Sequence, residues 1–220
     1  MKVVHIITGL NDGGAEHTLY KICKYDNKNK NIVISLTGLG KYGPLLAKLG
    51  ISVYCLELKI LKIYKIFSLI KLIESLKPDL VQTWLVHADF FGGIAARLAG
   101  INKVVWNVRY SNVELGKTKF LTIFIMKILV NLSFLIPQLI VINSKRGMKM
   151  YSAKGYDKKK LRLIQNGYDL SILKINKKKI KTFRKKIKIK KETPLIGNVS
   201  RYDPKKDHLN FIQALSLLKS

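Results

Sequence analysis

Residues 8–22, TGLNDGGAEHTLYKI, place Gly9, Gly13 and Gly14 together with two acids between an apolar run and an amphipathic one. Where a strand turns into a helix, the first helical N–H groups lack intrahelical partners and carry partial positive charge, which makes an anion site. Gly13 and Gly14 have no Cβ, so a ligand can approach the main chain and positive φ is permitted, while Asp12 is placed to cap the helix. A phosphate or a sugar hydroxyl fits such a loop; so does a tight turn that needs glycine for its own geometry. A second stretch, GNVSRYDPKKDH (197–208), also joins a strand-like run to a helix and carries Arg201 with Lys206 five positions on. An arginine fork and a lysine point charge beside a helix N-terminus would neutralise a diphosphate. In a chain this rich in lysine, solvated loop charges are the alternative.

The glycine spacing excludes two common phosphate binders. A dinucleotide fold would show G-x-G-x-x-G and an acidic residue near the end of the second strand, but that strand ends in SLTG. A Walker loop would place lysine and a hydroxyl directly after its last glycine, and Gly14 is followed by Ala15 and Glu16. No nicotinamide cofactor is expected, and the cysteines give no zinc-site spacing.

The elements that must position these loops are legible as alternating periodicities. Near-continuous apolar runs at 2–8, 31–37, 51–57, 79–84, 103–108, 138–143 and 161–165 read as strands buried on both faces. Helical patterns fall near 14–25, 42–49, 60–77, 87–99, 117–135 and 144–153. Repeated βα units predict an α/β fold, a doubly wound, mostly parallel, Rossmann-like sheet. Residues 1–170 are expected to form this first domain and 171–192 a basic linker or first helix. Residues 193–220 would open a second Rossmann-like domain, with a strand over 194–200 and a helix from about 207. That helix has no stop signal before Ser220, the pattern of a truncated element.

Composition narrows the class. Apolar residues make up 48% of the 220 positions, enough for a globular core. Cys23 and Cys55 have neither zinc-site spacing nor disulfide-scaffold density, which fits a reducing, cytoplasmic setting. The N-terminal apolar run breaks at Gly9 and Asp12, too early for a signal-peptide core. A formal charge of +28 invites nucleic acid as a partner, yet lysine dominates arginine and few aromatics interleave. The densest run, KINKKKIKTFRKKIKIKK (174–191), reads as a solvated helix face or linker, with contact to an anionic membrane surface as the alternative; no nucleic-acid partner is expected. FLTIFIMKILVNLSFLI (120–136) is strongly apolar, but Lys127, Asn131 and Pro137 interrupt it and it falls short of the ~20 residues of a span. It is expected to be a buried or partly buried helix packed on the sheet, with a helix that also touches a membrane surface, or a true span, as alternatives.

Six segments in this order resemble one family: GLNDGGAEHTLYKI, VQTWLVHADFFGGIAARLAG (81–100), VVWNVRYSN (104–112), VINSKRGMKMYSAKGY (141–156), LIQNGYDLSIL (163–173) and GNVSRYDPKKDHLNFIQAL (197–215). Together they look like family-4 glycosyltransferases, retaining enzymes of the two-domain GT-B fold, and the Trp-His-Arg pattern looks most like the bacterial branch that builds lipopolysaccharide and capsule. The resemblance implies a nucleotide-sugar donor, UDP-sugar favoured, a saccharide or lipid-linked acceptor, and work at the inner face of the cell membrane. It implies that Gly13, Gly14 and Glu16 face the cleft, and that Arg201 and Lys206 are the catalytic pair holding the diphosphate. Asn166 and Asp169 match the family's turn before the interdomain crossing. Trp84 and His87 would stand at the cleft rim, by packing or by sugar contact.

Two departures from the family pattern matter. Arg109 stands where many relatives carry a histidine facing the acceptor, so it is expected to orient an acidic or hydroxyl-rich acceptor. Gln165 replaces the usual proline before Asn166. The family's paired glutamates of the second domain, which contact the donor sugar, have no counterpart within these 220 residues, so the chain alone is expected to be a poor catalyst. A noncatalytic module, a remnant or one half of a split enzyme that binds acceptor and membrane, is the alternative reading.

Overall fold

A single parallel sheet follows from the apolar runs. In the computed structural model, which describes residues 1–58, 65–109, 120–168, 170, 175–190, 192–200 and 202–218, the strands are β1 (Lys2–Ile7), β2 (Lys30–Ser35), β3 (Ser52–Cys55), β4 (Leu80–Trp84), β5 (Val104–Val108), β6 (Leu139–Ile142) and β7 (Leu161–Leu163). They pair in the order β3-β2-β1-β4-β5-β6-β7, every neighbour parallel. The order reverses between β1 and β4, and in such sheets the crevice beyond the carboxyl ends at that switch is where ligands bind.

Helices cover both faces. Leu19 and Cys23 of α1 (Gly14–Tyr25) and Tyr42 and Leu46 of α2 (Tyr42–Ala47) pack with Ile7, Val33 and Trp84 on one side. On the other, Leu69 and Ile73 of α3 (Lys65–Leu76) and Ala88, Ala95 and Ala96 of α4 (Val86–Leu98) join Ile125, Met126 and Leu129 of α5 (Phe120–Leu135) and Tyr151 of α6 (Lys145–Ala153). Helix α4 lies close to the strands because a Cβ on Gly92 would stand 2.9 Å from Ile6 and one on Gly93 2.9 Å from the Trp106 indole nitrogen. The last carbonyls of α5 are met by cations, as the helix dipole favours. Arg97 donates to the carbonyls of Leu135 and Ile136 at 3.0 Å each, and Lys160 to those of Ser133 and Phe134 at 3.0 and 2.6 Å.

The chain divides into two compact units, Met1–Gly167 and Tyr168–Ser220. In the second, α7 (Lys177–Lys186) realises the basic run as a helix with no buried residue, capped by Asn176, whose side chain accepts from the Lys179 N–H at 2.9 Å. Helix α8 (His208–Ser216) begins where its periodicity predicts. The strand expected over 194–200 is not formed: those residues make no ladder, and Leu195, Ile196 and Val199 are exposed. Among the described residues of this unit there is no other strand to pair with, and a strand without a neighbour has nowhere to place its backbone hydrogen bonds. Among the described residues no helix is long and apolar enough to cross a membrane. Helix α5 instead buries one face on the sheet and exposes Phe120, Phe124, Phe134 and Leu135.

One polar group sits awkwardly in this core. Asp89 is fully buried; its Oδ1 accepts from the Thr83 hydroxyl at 2.5 Å and its Oδ2 has no hydrogen-bond partner among the described residues. Burial penalises the carboxylate and pushes its pKa up from 3.8 to about 7. The folded state therefore binds the proton more tightly than the unfolded chain, and stability contributed at low pH is lost as pH rises through the window from 3.8 to about 7. Asp89→Asn removes that titration while keeping an acceptor for Thr83. Urea unfolding across this window should show the variant gaining on the parent as pH rises; parallel stability curves would contradict the assignment.

Candidate functional site

Five strand ends converge on one crevice. Gly14, Ala15 and Glu16 follow β1, Leu85 follows β4, Arg109 follows β5, Asn143 follows β6 and Asn166 follows β7; together they line a crevice of about 290 Å³. That is the small end of ligand-site volumes. The lining offers one guanidinium, one carboxylate, two amides and a helix N-terminus, a mixture of donors and acceptors suited to hydroxyls or an anion rather than to an apolar ligand.

The glycine loop is built differently from the sequence expectation. Gly13 is the N-cap of α1 in extended backbone, and neither Gly13 nor Gly14 takes positive φ. Asp12 is not the cap; it pairs with Lys41 at 2.8 Å, and no side chain caps the helix. The missing Cβ atoms matter sterically. A Cβ on Gly13 would collide with the Glu16 carboxylate, which folds back over the helix start, while around Gly14 the space is open. The first turn of α1 thus presents bare main chain to the crevice, with Glu16 beside it.

Arg109 is the best-anchored side chain in the crevice. Its Nε donates to Asn107 Oδ1 at 2.9 Å and its Nη1 to Thr18 Oγ1 at 3.3 Å and Asn166 Oδ1 at 2.5 Å. Its Cζ lies 5.1 Å from the centre of the Trp84 ring, a cation–π stack. Burial lowers its pKa, yet a guanidinium stays charged, so a poorly solvated cation is held in fixed orientation.

Trp84 in turn is fixed from behind. It has no exposed surface, and its indole N–H donates to His5 Nδ1 at 3.3 Å. An indole nitrogen can only donate, so His5 carries its proton on Nε2 and donates it to Asn31 Oδ1 at 3.0 Å. Asn31 donates to Asp26 at 3.1 Å. Of the two roles open to Trp84 in the sequence, its burial supports packing: it is the platform beneath Arg109. Leu85 takes φ 75° and ψ 158°, a region almost reserved for glycine, so the β4–α4 junction is held under strain at the crevice wall.

The glycosyltransferase family 4 model matches residues 3–172. The chain belongs to that family. Comparison by sequence with curated proteins found no match. Among solved structures, Anabaena HepE in complex with UDP aligns over 100% of this chain and 58% of its own at 21% identity, with a TM-score of 0.84; its complex with UDP-glucose gives 0.81 at the same identity and coverage. A glycosyltransferase from Rickettsia africae aligns over 99% of this chain and 57% of its own at 17% identity and TM-score 0.75. The chain therefore spans under three-fifths of these structures, and its sheet is that of the N-terminal GT-B domain.

The remaining candidates fall in several places. Gly14, Glu16, Arg109 and Asn166 line the crevice and Gly13 caps its helix, whereas His87, half-buried in the first turn of α4, is not in the wall. Asp169 and Arg201 lie outside the described residues. In the second unit, Lys206 ends a short turn before α8, its N–H donating to the Asp203 carbonyl at 2.8 Å. Tyr202 stacks on His208 there at 5.5 Å, beside a small hollow lined by Asp203, Pro204 and Asp207. Sequence reasoning missed His5, Thr18, Leu85, Asn107 and Asn143. A polar residue inside an apolar strand, or directly after one, was the available signal for His5, Asn107 and Asn143.

Burial lowers the pKa of His5 from 6.5 to about 4. The native imidazole stays neutral while the unfolded one gains a proton, so this contribution is present above 6.5 and is lost as pH falls to about 4. Trp84→Phe, which keeps a ring under Arg109 but strands the His5 acceptor, should cost about 1–3 kcal/mol at neutral pH. It should also reduce the acid sensitivity; thermal unfolding at several pH values checks both, and an unchanged variant would refute the relay.

Proposed function

We propose that the chain is the acceptor-side portion of a nucleotide-sugar glycosyltransferase that moves a hexose-type sugar from a UDP-sugar to a saccharide acceptor. The observation that carries this is the pairing of the open α1 N-terminus at Gly14 with the anchored Arg109 in one crevice at the sheet's switch point. In the reaction, the bond between the anomeric carbon and the diphosphate oxygen breaks as an acceptor hydroxyl bonds to that carbon. The hydroxyl proton is released and UDP departs. Arg109 orients the acceptor through its fork, Glu16 and Asn143 take up hydroxyls, and excluding water from the crevice favours transfer over hydrolysis. Arg201 and Lys206 stabilise the departing diphosphate.

HepE structures holding UDP and UDP-glucose favour uridine as the nucleotide. The Trp84, His87 and Arg109 pattern favours a retaining enzyme of lipopolysaccharide, O-antigen or capsule assembly, acting on a lipid-linked or core saccharide at the inner membrane face. In a GT-B site both walls are required, and the solved relatives extend well beyond this chain's span. Purified residues 1–220 alone should therefore show no sugar transfer; transfer by them would refute the two-wall reading. In an assembly that supplies both walls of the site, Arg109→Ala should lower kcat/KM for transfer from a UDP-hexose by at least about tenfold through lost orientation. Unchanged transfer would remove Arg109 from the site.

A further inference from the structure

Three helices lie side by side on one face of the sheet, and their first turns all stand at the crevice end. Helix α3 starts beside the end of β3, where Lys65 donates to the Leu56 carbonyl; α4 follows β4 directly; α5 ends next to the beginning of β5, since Gln138 donates to the Val104 carbonyl. At about 100° per residue, Phe67 and Lys71 project from α3 opposite the buried Leu69, and Phe120, Phe124 and Lys127 project from α5 opposite the buried Ile125 and Leu129. Phe67 is 67% exposed, Phe120 85% and Phe124 53%, an exposure of large apolar rings that costs free energy in water.

The order along each helix is the same. The aromatic rings stand nearer the crevice end, and a lysine follows four residues after Phe67 and three after Phe124, about 4.5–6 Å further along the axis at the α-helical rise. Lys71 and Lys127 are both exposed. Helix α5 contains no acidic residue, and α3 has only Glu74. Aromatic tips backed at that depth by cations match the two layers of an anionic bilayer surface, acyl boundary first and phosphates behind it. A protein partner would require no such stagger, and a second copy of a chain at +28 would be repelled.

We propose that this rim, Phe67, Phe120 and Phe124 backed by Lys71 and Lys127, is a docking surface for an anionic lipid bilayer, set so that the crevice mouth faces the membrane. The proposal rests on the reading of a membrane-linked acceptor, but its test does not depend on sugar chemistry. The 220-residue chain should sediment with vesicles of phosphatidylethanolamine and phosphatidylglycerol and much less with phosphatidylcholine. The triple variant Phe67→Ser/Phe120→Ser/Phe124→Ser should bind at least about tenfold more weakly, given what burying one phenylalanine is worth. Lys71→Gln/Lys127→Gln should weaken binding several-fold and flatten its salt dependence. The control Lys178→Gln/Lys181→Gln/Lys185→Gln on α7 should keep most of the binding. Hydrogen exchange on the unmodified protein gives an independent reading: vesicles should protect the first turns of α3 and α5. Parent-like binding by the aromatic variant, loss of binding in the α7 control, protection confined to α7, or a dimer dissolved by the aromatic variant would each overturn the proposal. Failed transfer with intact vesicle binding would count against the enzyme reading alone.

Discussion

A charged guanidinium with much of its water removed is the constraint around which the site is built. Burial of Arg109 costs free energy that only fixed partners can offset, and four neighbours supply them: the amide oxygens of Asn107 and Asn166, the Thr18 hydroxyl and the face of Trp84. Each comes from a different element, β5, the segment after β7, α1 and β4. The cation can be held this way only if those elements meet at one edge, which parallel strands of matched register provide.

The rigidity of that arrangement reaches back through the sheet. Trp84 cannot tilt without giving up His5, and His5 cannot gain a proton, which would go to Nδ1, without losing the hydrogen bond that it accepts from Trp84. Asp89, on the opposite face, shows the contrary solution: a buried acid with one good partner and one orphan oxygen prefers to stay protonated. Both groups are kept neutral by the same low-polarity interior, one by refusing a proton and the other by keeping it. Their effects on stability run in opposite directions with pH: His5 favours the folded state less as pH falls, Asp89 less as pH rises.

The sheet was legible because seven apolar runs were too short for helices and too continuous for half-exposed strands, and only a doubly wound sheet buries both faces. Arg109, Asn166 and the glycine loop were legible as members of a motif series. His5 was not, because a lone histidine in KVVHII looks like any core histidine until Trp84, seventy-nine residues away, is placed against it. Asp12 was misread for a related reason. Its spacing suits a cap, but Lys41 offers a charge partner that only the folded β2–α2 loop brings near. Residues 194–200 have the composition of a strand, yet a ladder is a property of pairs, and local sequence cannot supply the neighbour.

The net charge looks like the loudest feature of the sequence, with 41 lysines and arginines against 13 acids, but the crevice scarcely shares in it. Among the described residues its wall has one cation, Arg109, and one acid, Glu16, so the field they make is that of a paired dipole with a helix N-terminus rather than of a basic patch. A site for polyanions such as nucleic acid would need lysines lining the groove and spaced like phosphates. Here the lysines stand outward, on α7 and on the outer faces of α3 and α5, where they act on whatever surface approaches the molecule. Charge therefore governs how the protein meets its surroundings, while the crevice is lined by a few fixed groups at the ends of five strands whose opposite charges offset each other.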